Sequence, residues 1–274
     1  MANQIFELKD AYFSYLGKYP ALCGVNINIE QGEMLAIIGA NGTGKSTLLH
    51  MLDALIFPDK GSAKAFGRQL NQDIFNDEDF SKLFRSKVGL VFQNPDVQLF
   101  CPTVYEDITF GPLQLGMPKE EIKKRTEELL ETLNIKDLVN RSPHQLSVGE
   151  KKKVGIASVL AINPDVLLLD EPTAGLDPNT CRELIDLIQD FHTQGKTIIT
   201  ATHDLHIVSE IADKVYILNR EKSIAAYGSS EEILANEGLL GEHNLLHIHK
   251  HRHPDKVHIH HHQHLEHHQD KAEG

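Results

Sequence analysis

The stretch Gly39-Ala40-Asn41-Gly42-Thr43-Gly44-Lys45-Ser46 constrains this chain more than any other part of it. It fits G-x-x-x-x-G-K-[ST], directly after the apolar run MLAII at 34–38 and directly before the helical run STLLHML at 46–52. A strand that enters such a turn and leaves it as a helix builds an anion cradle. The glycines let backbone N–H groups face inward around phosphate oxygens, Lys45 can reach the β and γ phosphates, and the Ser46 hydroxyl can ligate Mg²⁺. A bare glycine-rich turn would need none of these parts in this order.

A fold that carries this turn should alternate strands and helices, and residues up to about 235 do so. Strands are expected at Met34–Ile38, Val88–Phe92, Val166–Leu169, Thr197–Ala201 and Val215–Leu218. MLAII, VLLL and TIITA are apolar at consecutive positions, which predicts central, largely parallel strands covered on both faces. Residues 118–133 predict a helix that opens at Pro118 and buries Ile122, Leu129, Leu130 and Leu133. The acidic run Asp77-Glu78-Asp79 reads as a surface excursion within 71–87.

Composition narrows the class of partner. Lys plus Arg is 27 and Asp plus Glu is 39, a net charge of −12, which argues against holding nucleic acid by general phosphate neutralisation. The start MANQIFELKD has no apolar signal region, and no apolar run reaches the roughly 18 to 20 residues of a membrane span. A cytoplasmic chain, peripheral to the membrane if it docks on a membrane protein, is expected. Cys23, Cys101 and Cys181 stand too far apart for a disulfide framework or a thiolate metal site.

Two further sites carry chemistry. Val166-Leu167-Leu168-Leu169-Asp170 is an apolar strand that ends in a carboxylate suited to Mg²⁺, and Glu171 follows at once. Adjacent side chains on an extended chain diverge, so one acid can face the metal and the other an attacking water. Leu146-Ser147-Val148-Gly149-Glu150 precedes a helical run, with Ser147 and Glu150 spaced as a capping box. Such a free helix start can also meet the γ-phosphate of a nucleotide held by a second subunit.

In these motifs the chain, over about residues 4 to 235, resembles the ATP-binding subunits of ABC transporters. Gln93 is similar to the Q-loop glutamine, Leu146 to Glu150 to the signature, Ala174-Gly175-Leu176-Asp177 to the D-loop, and His203 to the switch histidine. The stretches FQNPDVQLFCPTVYEDITFGPLQLG, DEPTAGLDP and ATHDLHIVSEIADKVYIL resemble most the energy-coupling-factor branch, especially its cobalt and nickel importers. The implied fold is an α/β P-loop NTPase of the ABC ATPase type, with a mostly parallel central sheet, an antiparallel β edge subdomain and a helical subdomain. The implied division is an ATP-binding domain at 4–240 and a disordered His-rich tail at 241–274.

The resemblance also implies roles. Glu171 orients or deprotonates the hydrolytic water, Gln93 senses Mg²⁺ and relays to the membrane partner, and His203 touches the γ-phosphate. Tyr15 stacks on adenine, although a packed edge-strand aromatic remains the alternative beside Tyr12 and Phe13. Gly39, Asn41, Gly42, Gly44, Lys45, Ser46 and Thr47, with Ser147 and Gly149, bind ATP, and Ser46, Gln93 and Asp170 hold its Mg²⁺. The expected partners are a second ATPase subunit, a transmembrane coupling protein and a small substrate-binding membrane protein, with 93–116 as the docking stretch and no nucleic acid. The signature departs from the usual LSGGQ in Val148 and Glu150. A positive φ at Val148 would be strained, and Glu150 adds negative charge near a phosphate site, so weaker phosphate contact or a partner with a better signature is expected.

Twelve of the 17 histidines fall between His243 and His268. His247, His249, His251 and His253 alternate with other residues, and His258, His260 and His262 follow. On an extended segment alternate imidazoles point the same way, so pairs can chelate Ni²⁺ or Co²⁺ without selecting between them. The expected function is hydrolysis of ATP to drive import of cobalt or nickel, or of another micronutrient such as a vitamin with the tail as a metal store.

Overall fold

The structure is a computed structural model that describes residues 3–246 and the backbone of Ile248–His253 and Lys256–His261. The chain opens with β1 (Gln4–Tyr15), β2 (Tyr19–Glu30) and β3 (Met34–Ile38), then α1 (Lys45–Leu52), β4 (Lys60–Ala65) and β5 (Arg68–Gln69). Next come α2 (Glu78–Lys87), β6 (Val88–Val91), α3 (Val104–Gln114), α4 (Lys119–Thr132) and α5 (Val148–Leu160). The chain continues through β7 (Val166–Asp170), α6 (Pro178–Thr193), β8 (Thr197–Thr202), α7 (Leu205–Ile211), β9 (Lys214–Leu218), β10 (Ile224–Ser229), α8 (Ser230–Ala235) and α9 (Glu237–Glu242).

All five expected strands form, and they assemble in one sheet of order β10-β9-β3-β8-β7-β6. Every pairing in it is parallel except β9 with the edge strand β10. Residues of β3, β7 and β8 are buried throughout, as their unbroken apolar runs require of strands covered by helices on both faces. A second, antiparallel sheet of order β2-β1-β4-β5 forms the edge layer. One core joins these two sheets through α1 and α2, and a second lies under α3, α4, α5 and α6.

Register sets the function. Ile38 stands opposite Thr202, and Asp170 opposite Ala201, so Gly39, His203 and Glu171 leave the sheet along one carboxyl-end row. Open parallel sheets place their ligand crevices there.

Helix α4 opens at Pro118 and buries Ile122 and Leu130, as its spacing predicts. The acidic run Asp77-Glu78-Asp79 is exposed, as expected of the surface, and it also starts a helix. The Asp77 carboxylate accepts hydrogen bonds from Asp79 N at 3.1 Å and Phe80 N at 3.2 Å, and the helix buries Phe80 and Phe84 one turn apart. At the other end, Leu240 and Leu245 are buried against Val208 and Ile233, so packing extends to this segment. The backbone of β11 (Ile248–His253) and β12 (Lys256–His261) pairs antiparallel, apart from both other sheets. The alternation of residue types at 247–253 has the period of a strand. His247 and His262 lie outside the described residues, as do the side chains of the other tail histidines.

Candidate functional site

The phosphate loop joins β3 to α1. A Cβ at Gly44, where φ is +109°, would lie 2.3 Å from the Ala21 carbonyl oxygen, so the turn requires glycine for both conformation and space. At Gly39 a Cβ would lie 2.5 Å from the Leu218 carbonyl oxygen. Lys45 is buried, and its ammonium donates to the Gly39 carbonyl at 2.8 Å. Asn41 stands exposed at the loop tip, and Thr47 is buried on the first turn of α1.

Asp170 ends β7 and Glu171 follows with φ of 47°, a left-handed conformation uncommon for a side-chain-bearing residue. The turn separates the two acids. Glu171 Oε1 lies 2.9 Å from His203 Nδ1 and 3.3 Å from Lys45 Nζ. Its Oε2 accepts from the Thr202 hydroxyl at 3.2 Å and from His203 N at 3.4 Å. A carboxylate this buried is tolerable because each oxygen has a donor or a cation. Burial pushes the Asp170 carboxyl above the usual range, and the Ser46 hydroxyl pulls it back.

A magnesium ion fits this corner. Asp170 Oδ1 is buried with no hydrogen-bond partner, beside the Ser46 hydroxyl, and a hard cation takes such oxygen ligands. Gln93 stands exposed in the loop after β6 and makes no hydrogen bond to Ser46, Asp170 or Glu171. Sequence reasoning thus names a cluster of Lys45, Ser46, Asp170, Glu171 and His203 that the fold assembles, with Gln93 at its margin.

Tyr15, at the end of β1, is half-exposed, and its hydroxyl lies 3.2 Å from Thr47 Oγ1. Its ring meets Phe13 edge-on at 5.0 Å. One face is thus available beside the phosphate-loop helix.

Ser147 is the N-cap of α5. Its hydroxyl accepts from Glu150 N at 3.3 Å, and Glu150 Oε2 accepts from Ser147 N and Oγ at 2.7 Å each. These bonds hold the Glu150 carboxyl below the usual range. The feared strain at Val148 does not arise, because it is the first residue of the helix and its φ is negative. Ser147 and Gly149 line a cleft of about 640 Å³ with Gly175, Leu176 and Asp177. No residue of the phosphate loop lines that cleft, so the loop and the start of α5 face different spaces.

Three residues escaped the sequence reading. Thr202 positions Glu171 Oε2 and also accepts from Asp204 N at 3.0 Å. Lys152, buried on α5, donates to the Glu171 and Pro172 carbonyls. Gln98 accepts from Phe92 N at 3.1 Å and donates to the Gly155 carbonyl at 2.6 Å and to Ser158 Oγ at 3.0 Å. The signal for Lys152 was its helical phase with Ile156 and Leu160; for the other two there was none.

Comparison with known proteins agrees with this geometry. Residues 22–174 match the family described as ABC transporter. The nickel import ATP-binding protein NikO of Rhodobacter capsulatus is 47% identical over 244 residues, covering 88% of this chain and 95% of that protein. The energy-coupling factor transporter ATP-binding protein EcfA of Methanocaldococcus jannaschii is 43% identical over 241 residues, covering 88% and 85%. Among solved structures, cbiO1 from Clostridium perfringens, part of the ABC transporter complex cbiONQ, superposes with a TM-score of 0.73 at 36% identity, covering 89% and 95%. A dimeric ATP-binding cassette, MJ0796 bound to ADP and Pi, gives a TM-score of 0.74 at 30% identity, covering 82% and 99%. The chain belongs to the ATP-binding subunits of ABC transporters, and its reaction is the hydrolysis of ATP.

Proposed function

We propose that this subunit powers an importer of nickel or cobalt ions of the energy-coupling-factor type. The observation that carries the reading is the 47% identity to a nickel import ATP-binding protein across 88% of the chain. The histidine-rich stretch after residue 243 is consistent with it. The register of β11 and β12 sets His249 opposite His260 and His251 opposite His258, a spacing at which cross-strand pairs share a face. Because neutral imidazole is the ligand, tail affinity for Ni²⁺ should fall below about pH 6.5.

In the proposed reaction Glu171 orients or deprotonates the attacking water, and His203 contacts the γ-phosphate. Lys45 and the phosphate-loop amides hold the phosphates, while Tyr15 stacks on adenine. Ser46, Asp170 and Gln93 would hold Mg²⁺, which when bound supplies charge neutralisation at the phosphates. Ser147 and Gly149 face outward on their own cleft, which supports a head-to-tail dimer in which each chain's signature meets the other's nucleotide.

No helix among the described residues is long and apolar enough to cross a membrane, so translocation falls to partner chains. Their docking surface is 93–116, where Phe100 and Phe110 stack edge-on at 4.9 Å and remain exposed beside Val97 and Leu113. Asp107 shapes that surface by accepting from Phe100 N at 3.1 Å and Cys101 N at 3.0 Å.

The test is a pull-down of Glu171→Gln with ATP from solubilised source membranes. Co-purified small multi-span proteins, followed by nickel or cobalt uptake in their presence, support the reading; only soluble partners overturn it. A second reading, import of another micronutrient with the tail as a metal store, draws on the similarity to EcfA. Deleting 243–274 separates the two, because a store loses metal tolerance while transport continues.

A further inference from the structure

Lys151, Lys152 and Lys153 occupy consecutive positions on the first turns of α5, yet their side chains go to three different places. Lys151 Nζ pairs with Asp96 Oδ1 at 2.7 Å and Lys153 Nζ with Glu183 Oε2 at 2.6 Å, both near the surface. Lys152 turns inward and is 4% exposed. Its ammonium donates to the Glu171 carbonyl at 2.7 Å and the Pro172 carbonyl at 3.0 Å. Burial holds its pKa below the ordinary lysine value, opposed by the nearby charge of Glu171.

Desolvating an ammonium costs several kcal/mol, and the partners here are two neutral carbonyls rather than a carboxylate. Satisfying two carbonyls alone would not require a charge. The grip falls on a residue that needs one. Glu171 sits in the left-handed region, which costs on the order of 1 to 3 kcal/mol and persists only where the surroundings impose it. On one side its N–H donates to the Ala201 carbonyl at 2.9 Å, which ties it to β8. On the other, its carbonyl is held by Lys152 and by Ala174 N at 3.2 Å. Thr202 and His203 fix the carboxylate, but only after the backbone has aimed it.

We infer that Lys152 is the positioning residue for Glu171: from the helix that starts at the signature, it locks the Glu171 turn that directs the carboxylate at His203 and the nucleotide. The setting of α5 is thereby transmitted to the acid without passing through ATP. This rests on the proposed role of Glu171 as the base.

The test compares ATP hydrolysis by the full chain with Lys152→Met, Lys152→Arg and Glu171→Gln. Lys152→Met should lower kcat about 10- to 100-fold while KM for ATP stays within about threefold, because the phosphate loop is untouched. Lys152→Arg, which keeps charge and donors, should recover a substantial share of kcat, a rescue that loss of packing alone would not allow. If Lys152→Met does not fold, Lys152→Gln, which keeps a neutral donor but no charge, carries the same comparison. Parent-like kcat in a folded, uncharged variant, beside an inactive Glu171→Gln, would overturn the inference. Parent-like hydrolysis by Glu171→Gln would overturn the underlying role of Glu171 instead.

Discussion

Lys45 Nζ and Glu171 Oε1 lie 3.3 Å apart, each side chain 6% exposed, so the cation of the phosphate loop is paired with the acid at the end of β7. An arriving phosphate must take Lys45 from Glu171 and then share a confined space with that carboxylate.

Glu171→Gln should therefore do two things at once. Hydrolysis should fall about 10²- to 10⁴-fold through loss of the base. ATP should bind about 3- to 10-fold more tightly, because a competing negative charge is gone. Nucleotide titration beside single-turnover phosphate release measures both. Unchanged affinity would show that the ion pair does not compete with the phosphate.

Gly44→Ala tests the phosphate loop by shape alone. The added methyl meets the Ala21 carbonyl oxygen at 2.3 Å in a backbone conformation at φ +109°. Loss of ATP affinity by about 100-fold or more is expected, with a strain penalty of about 1 to 3 kcal/mol read from thermal melting. Normal affinity would mean that the loop adopts another conformation with nucleotide.

Val148→Gly addresses the altered signature. Val148 is exposed at the first position of α5, so the change should cost no more than about 1 kcal/mol of stability. It opens the cleft that Ser147 and Gly149 line, and in the proposed dimer basal ATP hydrolysis should rise. An unchanged rate would remove Val148 as the cause of a weak phosphate contact.

Asp53 predicts a pH dependence of stability. It caps α1 at its C-terminal end, and burial pushes its pKa up to about 7, opposed by Arg85, whose Nη1 lies 3.3 Å from Oδ2. A carboxyl with a raised folded pKa stabilises fully below its unfolded pKa, near 3.8, and loses that contribution as pH rises through about 7. Asp53→Asn should match the parent near pH 4 and gain on it by roughly 4 kcal/mol at most by pH 8. Melting curves of both proteins from pH 4 to 8 decide it; a constant difference would contradict the raised pKa.

Much of the fold was legible because buried parallel strands write themselves as unbroken apolar runs. MLAII, VLLL and TIITA became β3, β7 and β8, and the phosphate loop lay where its strand and helix required. What stayed hidden were contacts between segments distant in sequence. Thr202 looks like one more β-branched strand residue until β8 is set beside β7. Lys152 is masked by two lysines that pair near the surface, and nothing in the exposed run Asp77-Glu78-Asp79 marks it as the start of a helix that buries Phe80 and Phe84. The Glu171 turn is invisible in one dimension, because only tertiary contacts impose a left-handed φ there.

The Gln98 side chain joins the backbone of Phe92, beside the proposed docking stretch, to Gly155 and Ser158 midway along α5. Under the proposed docking at 93–116, a load applied there would reach the signature helix through the Gln98 amide and the Lys151–Asp96 pair, as through a clutch. Cutting both links should spare the proposed nucleotide site and docking face alike, and leave an engine that idles: ATP turns over while the load stays still.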